Sequence, residues 1–381
     1  MLYKIKMLGE VCDIVGGGTP SRNVPDYFTG DIPWATPTDI TALHGEKFIV
    51  DTKEHITQKA IDDSSTRLVP AGSVLMTSRA TIGYTAINRK SMCTNQGFAS
   101  FIPGRNVDSL YLAYYLEFIR DVLIQRASGT TFKEISKSEL RKMPIPLPSI
   151  EKQKKIGMNL KRITDCVNKN REGQSLSNAY PLSLFHKMFG NTETNPKRLP
   201  LKKLGEVCSI NMGQSPPSST YNTTEDGLPF FQGKADFGKV YPETRIWCNK
   251  PSKIAEKDSI LMSVRAPVGP TNIAKEKCCI GRGLVAIKPT PAVTTWYILY
   301  ALRTIEPDIA MKGSGSTFTA INKVQVSDID ILLPSIGKQK EFDNKITSFE
   351  RTRVAQHKSR ELFDSLFASL SNRYFNIEGG Y

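Results

Sequence analysis

Short runs of β-branched and aliphatic residues, cut by Gly and Pro, recur through most of the chain. "SVLMTS" (Ser73–Ser78) and "SILMSV" (Ser259–Val264) are two of them, and the pattern predicts short strands joined by turns. A short helix is predicted inside the first such region, over Tyr111–Gln125. After each "LPSI" the period changes. Ile156, Leu160, Ile163 and Val167 follow at spacings of 4, 3 and 4, and Phe342, Ile346 and Phe349 at 4 and 3, the seam of a coiled-coil-like helix. Pro148 and Pro334 stand just ahead, where proline tolerates a helix start. The predicted order is a strand-rich domain over 1–148, a helical region over 149–190, a second strand-rich domain over 191–334 and a second helical region over 335–375. The fold class is α+β. The two narrow seams are expected to bury each other as an antiparallel pair, with Gly157, Gly173 and Pro181 breaking or bending the far end of the first helix.

The chain repeats itself. "SGTTFKEIS" (Ser128–Ser136) returns 186 positions later as "SGSTFTAIN" (Ser314–Asn322). "GSVLMTSRATIG" pairs with "DSILMSVRAPVG", "CTNQGFASFIP" with "CIGRGLVAIKP", and "IPLPSIEKQK" with "ILLPSIGKQK", all at the same shift. "LGEVCDIVGGGTP" (Leu8–Pro20) answers to "LGEVCSINMGQSP" (Leu204–Pro216) at a shift of 196, so the halves diverge in length between Pro20 and Gly72. Five segments in the same order, four of them at one shift, mark an internal duplication.

At 381 residues, 39% hydrophobic and 23% charged, the chain can bury a core for each half. Its formal charge of +14 points to a polyanionic partner, nucleic acid above all. No apolar run has the roughly 18 residues that span a bilayer, and "MLYKIKMLGE" lacks a signal-peptide core, so a cytoplasmic location without membrane contact is expected. Seven cysteines include no C-x-x-C pair and read as reduced packing residues.

Two strand-rich domains alternating with two helices, each domain closing on "SG.TF..I" and "LPSI.KQK", together with "IPWATPTDI" (Ile32–Ile40) and the tail "SLFASLSNRYF" (Ser365–Phe375), resemble the specificity subunit of type I restriction-modification enzymes. The resemblance runs from Leu8 to about Phe375. It implies two target recognition domains, each reading one half of a bipartite site in double-stranded DNA. It also implies helices that form a spacer and dock two methyltransferase subunits, with motor-nuclease subunits completing the complex in a bacterial or archaeal cytoplasm. S-adenosylmethionine, ATP and magnesium would serve those partners, with no cofactor or metal on this chain.

Candidate base readers follow from major-groove chemistry, where Arg and Lys suit guanine and Asn and Gln suit adenine. The divergent segments offer Thr36, Thr38 and Asp39 beside Trp34, and Gln232, Lys234 and Asp236 beside Phe230. Asn95 and Gln96 align with Gly281 and Arg282. Arg79 and Arg265, shared by both halves, suit phosphate contacts that position without reading sequence. Thr130 and Ser316 in the repeated nonapeptide are further candidates, although that motif reads equally well as a turn and helix cap. Trp34 and Phe230 read as core anchors.

A self-contained DNA-modifying enzyme is the rival class, and a general nucleic-acid-binding protein a third. The sequence has no E-x-K triplet, no N/D-P-P-Y/F tetrapeptide, and in "GKADFGKV" (Gly233–Val240) a valine where a phosphate loop needs Ser or Thr. His44, His55, His186 and His357 lack metal-ligand spacing. A non-catalytic subunit is expected.

Overall fold

The β-branched runs become strands buried on both faces, Val74–Thr77 and Ile260–Ser263 among them. The computed structural model describes residues 3–129, 133–312 and 320–377. They divide into two units, Met1–Gly173 with Gln356–Tyr381, and Gln174–Ala355. Five helices matter below: α1 (Ser109–Phe118), α2 (Ile150–Ser177), α3 (Tyr180–Phe189), α4 (Thr295–Thr304) and α5 (Ile336–Phe375).

In the first unit, Phe98–Pro103 lies antiparallel between Cys12–Gly16 and Val74–Thr77, and the sheet continues through Thr85–Asn88 to Phe48–Ile49. A second sheet pairs Ile32–Ala35 in parallel with Met92–Thr94, with Trp34 opposite Cys93. The second unit repeats both arrangements. Leu284–Pro289 lies between Cys208–Met212 and Ile260–Ser263, and Leu228–Phe231 runs parallel to Cys278–Ile280 with Phe230 opposite Cys279. The duplication read from sequence is therefore a duplication of topology.

The predicted Tyr111–Gln125 helix is two pieces, α1 and Arg120–Arg126, which meet at Ile119. The recurrent "KQK" has a structural cause. Gln153 is buried, accepts from Asp108 N at 2.9 Å and donates to Asn106 O and Pro148 O at 2.9 Å each. Gln339 does the same for Thr294 N, Pro334 O and Ala292 O. One side chain thus satisfies the orphan backbone groups where each strand-rich domain meets its helix.

Both seams are buried, but the expected burial of one against the other gives way to a partner inside each unit. Ile156 and Leu160 of α2 join Tyr111, Tyr114 and Phe375, the last from the end of α5. Asn170 Nδ2 donates to Gln356 O at 3.2 Å, so α2 and this end of α5 run antiparallel. In the second unit Phe342 and Ile346 of α5 join Phe185 and Phe189 of α3, while Phe349 meets Tyr180 at 5.1 Å, again antiparallel. Ile163 is buried, and Val167 and Phe349 are half-buried. The physical reason is polarity: antiparallel helices bring the start of one to the end of the other, whereas the two seams both lie near helix starts.

The glycines do not break α2, which is continuous through both. At Gly157 an added Cβ would lie 3.1 Å from Leu110 Cγ and Tyr111 N, so this glycine lets α2 approach α1. The break falls after Ser177, and Pro181 sits in the first turn of α3.

Candidate nucleic-acid interface

Three loops of the first unit converge. Gly18 N donates to Thr94 O at 2.9 Å and Asn95 N to Ala35 O at 2.9 Å, which ties the 16–19 and 35–38 loops to the 94–97 loop. A Cβ on Gly17 would fall 2.1 Å from Asn95 O, so only glycine permits this closure. Trp34 is the buried post beneath, its Nε1 donating to Gly18 O at 3.0 Å. Arg22 lies 4.1 Å over the Phe28 ring and forks onto Glu54, whose carboxyl it holds below the ordinary range. On this base sit Thr36, Thr38, Asn95 and Gln96, half-buried or exposed. Thr19 Oγ1 donates to Gln96 Oε1, and Gly97 N to Asn95 Oδ1 at 2.9 Å, so each amide uses its oxygen within the loops and its NH2 is not needed for these bonds.

The second unit closes three equivalent loops. Gln214 N donates to Ile280 O at 3.0 Å, Gly281 N to Phe231 O at 2.8 Å and Arg282 N to Ser215 Oγ at 3.2 Å. A Cβ on Gly213 would lie 2.1 Å from Gly281 O. Phe230 is the buried post. Gln232, Lys234 and Arg282 are exposed, and no described residue forms an ion pair with Lys234 or Arg282.

Two acidic candidates serve the scaffold instead. Asp39 is buried and accepts from Thr36 N at 2.8 Å, Thr36 Oγ1 at 2.6 Å and Lys53 N at 3.2 Å. Asp236 accepts from Gln232 N at 2.7 Å and Gly233 N at 3.3 Å. Each fixes its loop as a helix cap does, and the hydroxyl hydrogen of Thr36 is committed to Asp39.

Arg79 and Arg265 occupy equivalent exposed positions beside the repeated nonapeptide. Thr130 and Ser316 lie outside the described residues. The ninth residue of each repeat caps the following helix: Glu139 N donates to Ser136 Oγ at 3.1 Å, and Gln325 N to Asn322 Oδ1 at 3.0 Å. Sequence reasoning missed Thr19, Ser215 and Glu134, the partner of Arg79 at 2.6 Å. Thr19 and Ser215 stood at matched positions of "GGGTP" and "MGQSP", which was the available signal.

The same three-loop frame, built twice and dressed with different donors, accords with comparison to known proteins. The family described as the type I restriction modification DNA specificity domain matches residues 2–176 and 196–362. This chain belongs to that family. The two matched segments show that it carries the domain twice. A type I restriction enzyme specificity subunit, MjaX of Methanocaldococcus jannaschii, is 28% identical over 398 residues, covering 97% of this chain and 92% of its own length. A solved chain from work on assembly and conformational transition of a type I R-M system aligns with a TM-score of 0.62 at 29% identity, covering 98% of this chain and 97% of its own. The S subunit of the type I system of M. genitalium shares the fold, with a TM-score of 0.66 at 16% identity over 98% of this chain and 96% of its own. Among the described residues, no group of three or more His, Cys, Asp or Glu is placed to hold a metal ion, and no helix is long and apolar enough to cross a membrane.

Proposed function

We propose that this chain is the non-catalytic DNA-reading subunit of a type I restriction-modification complex. Residues 1–148 and 191–334 each read one half of a bipartite, asymmetric site in double-stranded DNA, and the helical regions 149–190 and 335–375 space the two readers. Adenine methylation and restriction belong to partners: two methyltransferase subunits using S-adenosylmethionine, and motor-nuclease subunits using ATP and magnesium. One observation carries the reading: identical loop frames hold Thr36, Thr38, Asn95 and Gln96 in the first unit, and Gln232, Lys234 and Arg282 in the second. Amide pairs suit adenine and guanidinium suits guanine, so two different half-sequences follow. Arg265 suits a phosphate contact that positions the duplex, Arg79 is the equivalent arginine paired with Glu134, and Thr130 and Ser316 remain candidates from the sequence alone. The helix α2, with 28 residues, spans about 42 Å, of the same order as the roughly 34 Å between successive major-groove faces.

The test is a domain exchange. Residues 1–148 are replaced by the matching domain of a relative, the chain is expressed with methyltransferase partners, and N6-methyladenine is mapped genome-wide. One half of the methylated site should change and the other persist. Both halves changing together, or neither, would overturn the two-reader assignment.

A further inference from the structure

Among the described residues, the end of the repeated nonapeptide makes the same backbone bonds in both units, with one difference in chemistry. Ile135 N donates to Ser78 O at 3.0 Å, and Ile321 N to Val264 O at 3.0 Å. Arg79 bridges to Glu134 and Arg265 to Ala320, so positions 134 and 320 face equivalent arginines. In the first unit the carboxylate of Glu134 takes Arg79 through two hydrogen bonds, from Nε at 2.9 Å and Nη2 at 2.6 Å. In the second unit Ala320 offers nothing, and Arg265 is exposed with no ion pair to any described residue. The two nonapeptides carry equal net charge, because Lys133 accompanies Glu134 where Thr319 and Ala320 are both neutral. What differs is which cation is free.

Resting on the DNA-reading assignment, we propose that Glu134 is a built-in competitor for the DNA backbone at Arg79. The guanidinium fork matches carboxylate and phosphate alike. Glu134 therefore occupies the donors that a phosphate would use, while no described residue forms an ion pair with the same donors of Arg265. The two readers carry the same arginine but grip the duplex unequally through it. The pair is about half exposed, with 46% and 41% of the two side chains accessible, so it is positioned to meet a phosphate and is not a core ion pair.

Each phosphate neutralised by a cation adds about 0.9 to the slope of log affinity against log salt, about a threefold change in affinity between roughly 50 and 200 mM. The full-length chain is titrated with salt on a random-sequence duplex of about 40 base pairs, a length that spans several helical turns. Arg265→Ala should flatten the slope by about 0.9, while Arg79→Ala leaves it unchanged. Glu134→Gln should steepen it by about 0.9, a gain lost in the Glu134→Gln, Arg79→Ala double variant, and Ala320→Glu should flatten it as Arg265→Ala does. Thermal unfolding of each variant identifies any that misfold, and because 134 and 320 lie in different units, loss of one variant leaves the other decisive. Slopes unmoved by both Glu134→Gln and Ala320→Glu, in chains that bind and unfold as wild type, would overturn the proposal and leave DNA reading standing. No duplex binding by the wild-type chain would overturn both.

Discussion

At the residue scale, a carboxylate changes its work with its neighbours. Asp39 and Asp236 have the sequence setting of base readers, yet backbone N–H groups of their own loops claim them. Nothing in a string of letters separates these uses, since both need an acid beside small polar residues. Asp343 is a third case. It lies on α5 at the start of α4, where it accepts from Thr294 Oγ1 at 2.8 Å, and the matched position in the first unit is Gly157, with Asp108 capping α1 from its own chain segment. Burial pushes its carboxyl up from 3.8 to about 6, against the opposing hydrogen bonds from Thr294 and from the Tyr297 N–H. Between those values the folded protein holds the proton more firmly than the unfolded chain, so this group removes stability as pH rises through that window. Asp343→Asn keeps an acceptor for Thr294 without the charge. Thermal midpoints measured from pH 4 to 7 should therefore show the variant gaining on wild type as pH rises, and a constant difference would refute the assignment.

At the element scale, the hydrophobic period located both long helices and their seams, and the proline positions located their starts. What it could not supply was the partner. A stripe records that a face is buried but not against what, and the tail motif "SLFASLSNRYF" had no sequence feature tying it to residues near 111. The side chain of Phe375 is fully buried, with ring centroids 5.2 Å from Tyr111, 5.7 Å from Tyr115 and 5.5 Å from Phe118. Phe375→Ala should cost about 3–5 kcal/mol, the range for a buried aromatic removed from a packed core. The loss should appear in the unfolding of the first unit, read by hydrogen exchange at α1, with the strands of the second unit unaffected.

At the scale of the whole molecule, the duplication was fully legible because register survives divergence in side chains. The loops of the candidate interface were legible only as the places where the halves differ. Both long helices cross the boundary between units, α2 at Gly173 and α5 at Ala355. An added Cβ at Gly173 has no atom within 4 Å, which makes this the point for insertion. Four residues added after Gly173, matched by four after Ala355, lengthen each helix by about 6 Å, close to two base pairs at about 3.4 Å each. Under the proposed function the methylated site should keep both half-sequences and gain one or two bases in its gap, and an active insertion variant with the old gap would show that the helices do not set it.

The closure of the first unit by Phe375 also fixes an order of events during synthesis. Domains ordinarily fold as they leave the ribosome, the N-terminal one first, while the chain grows at about 5–20 residues per second. Here residues 174–355 contain everything the second unit needs, whereas the first must wait with Tyr111, Ile156 and Leu160 uncovered until the residues around Phe375 emerge. The unit translated first is the one completed last. For the intervening seconds that apolar face stays uncovered.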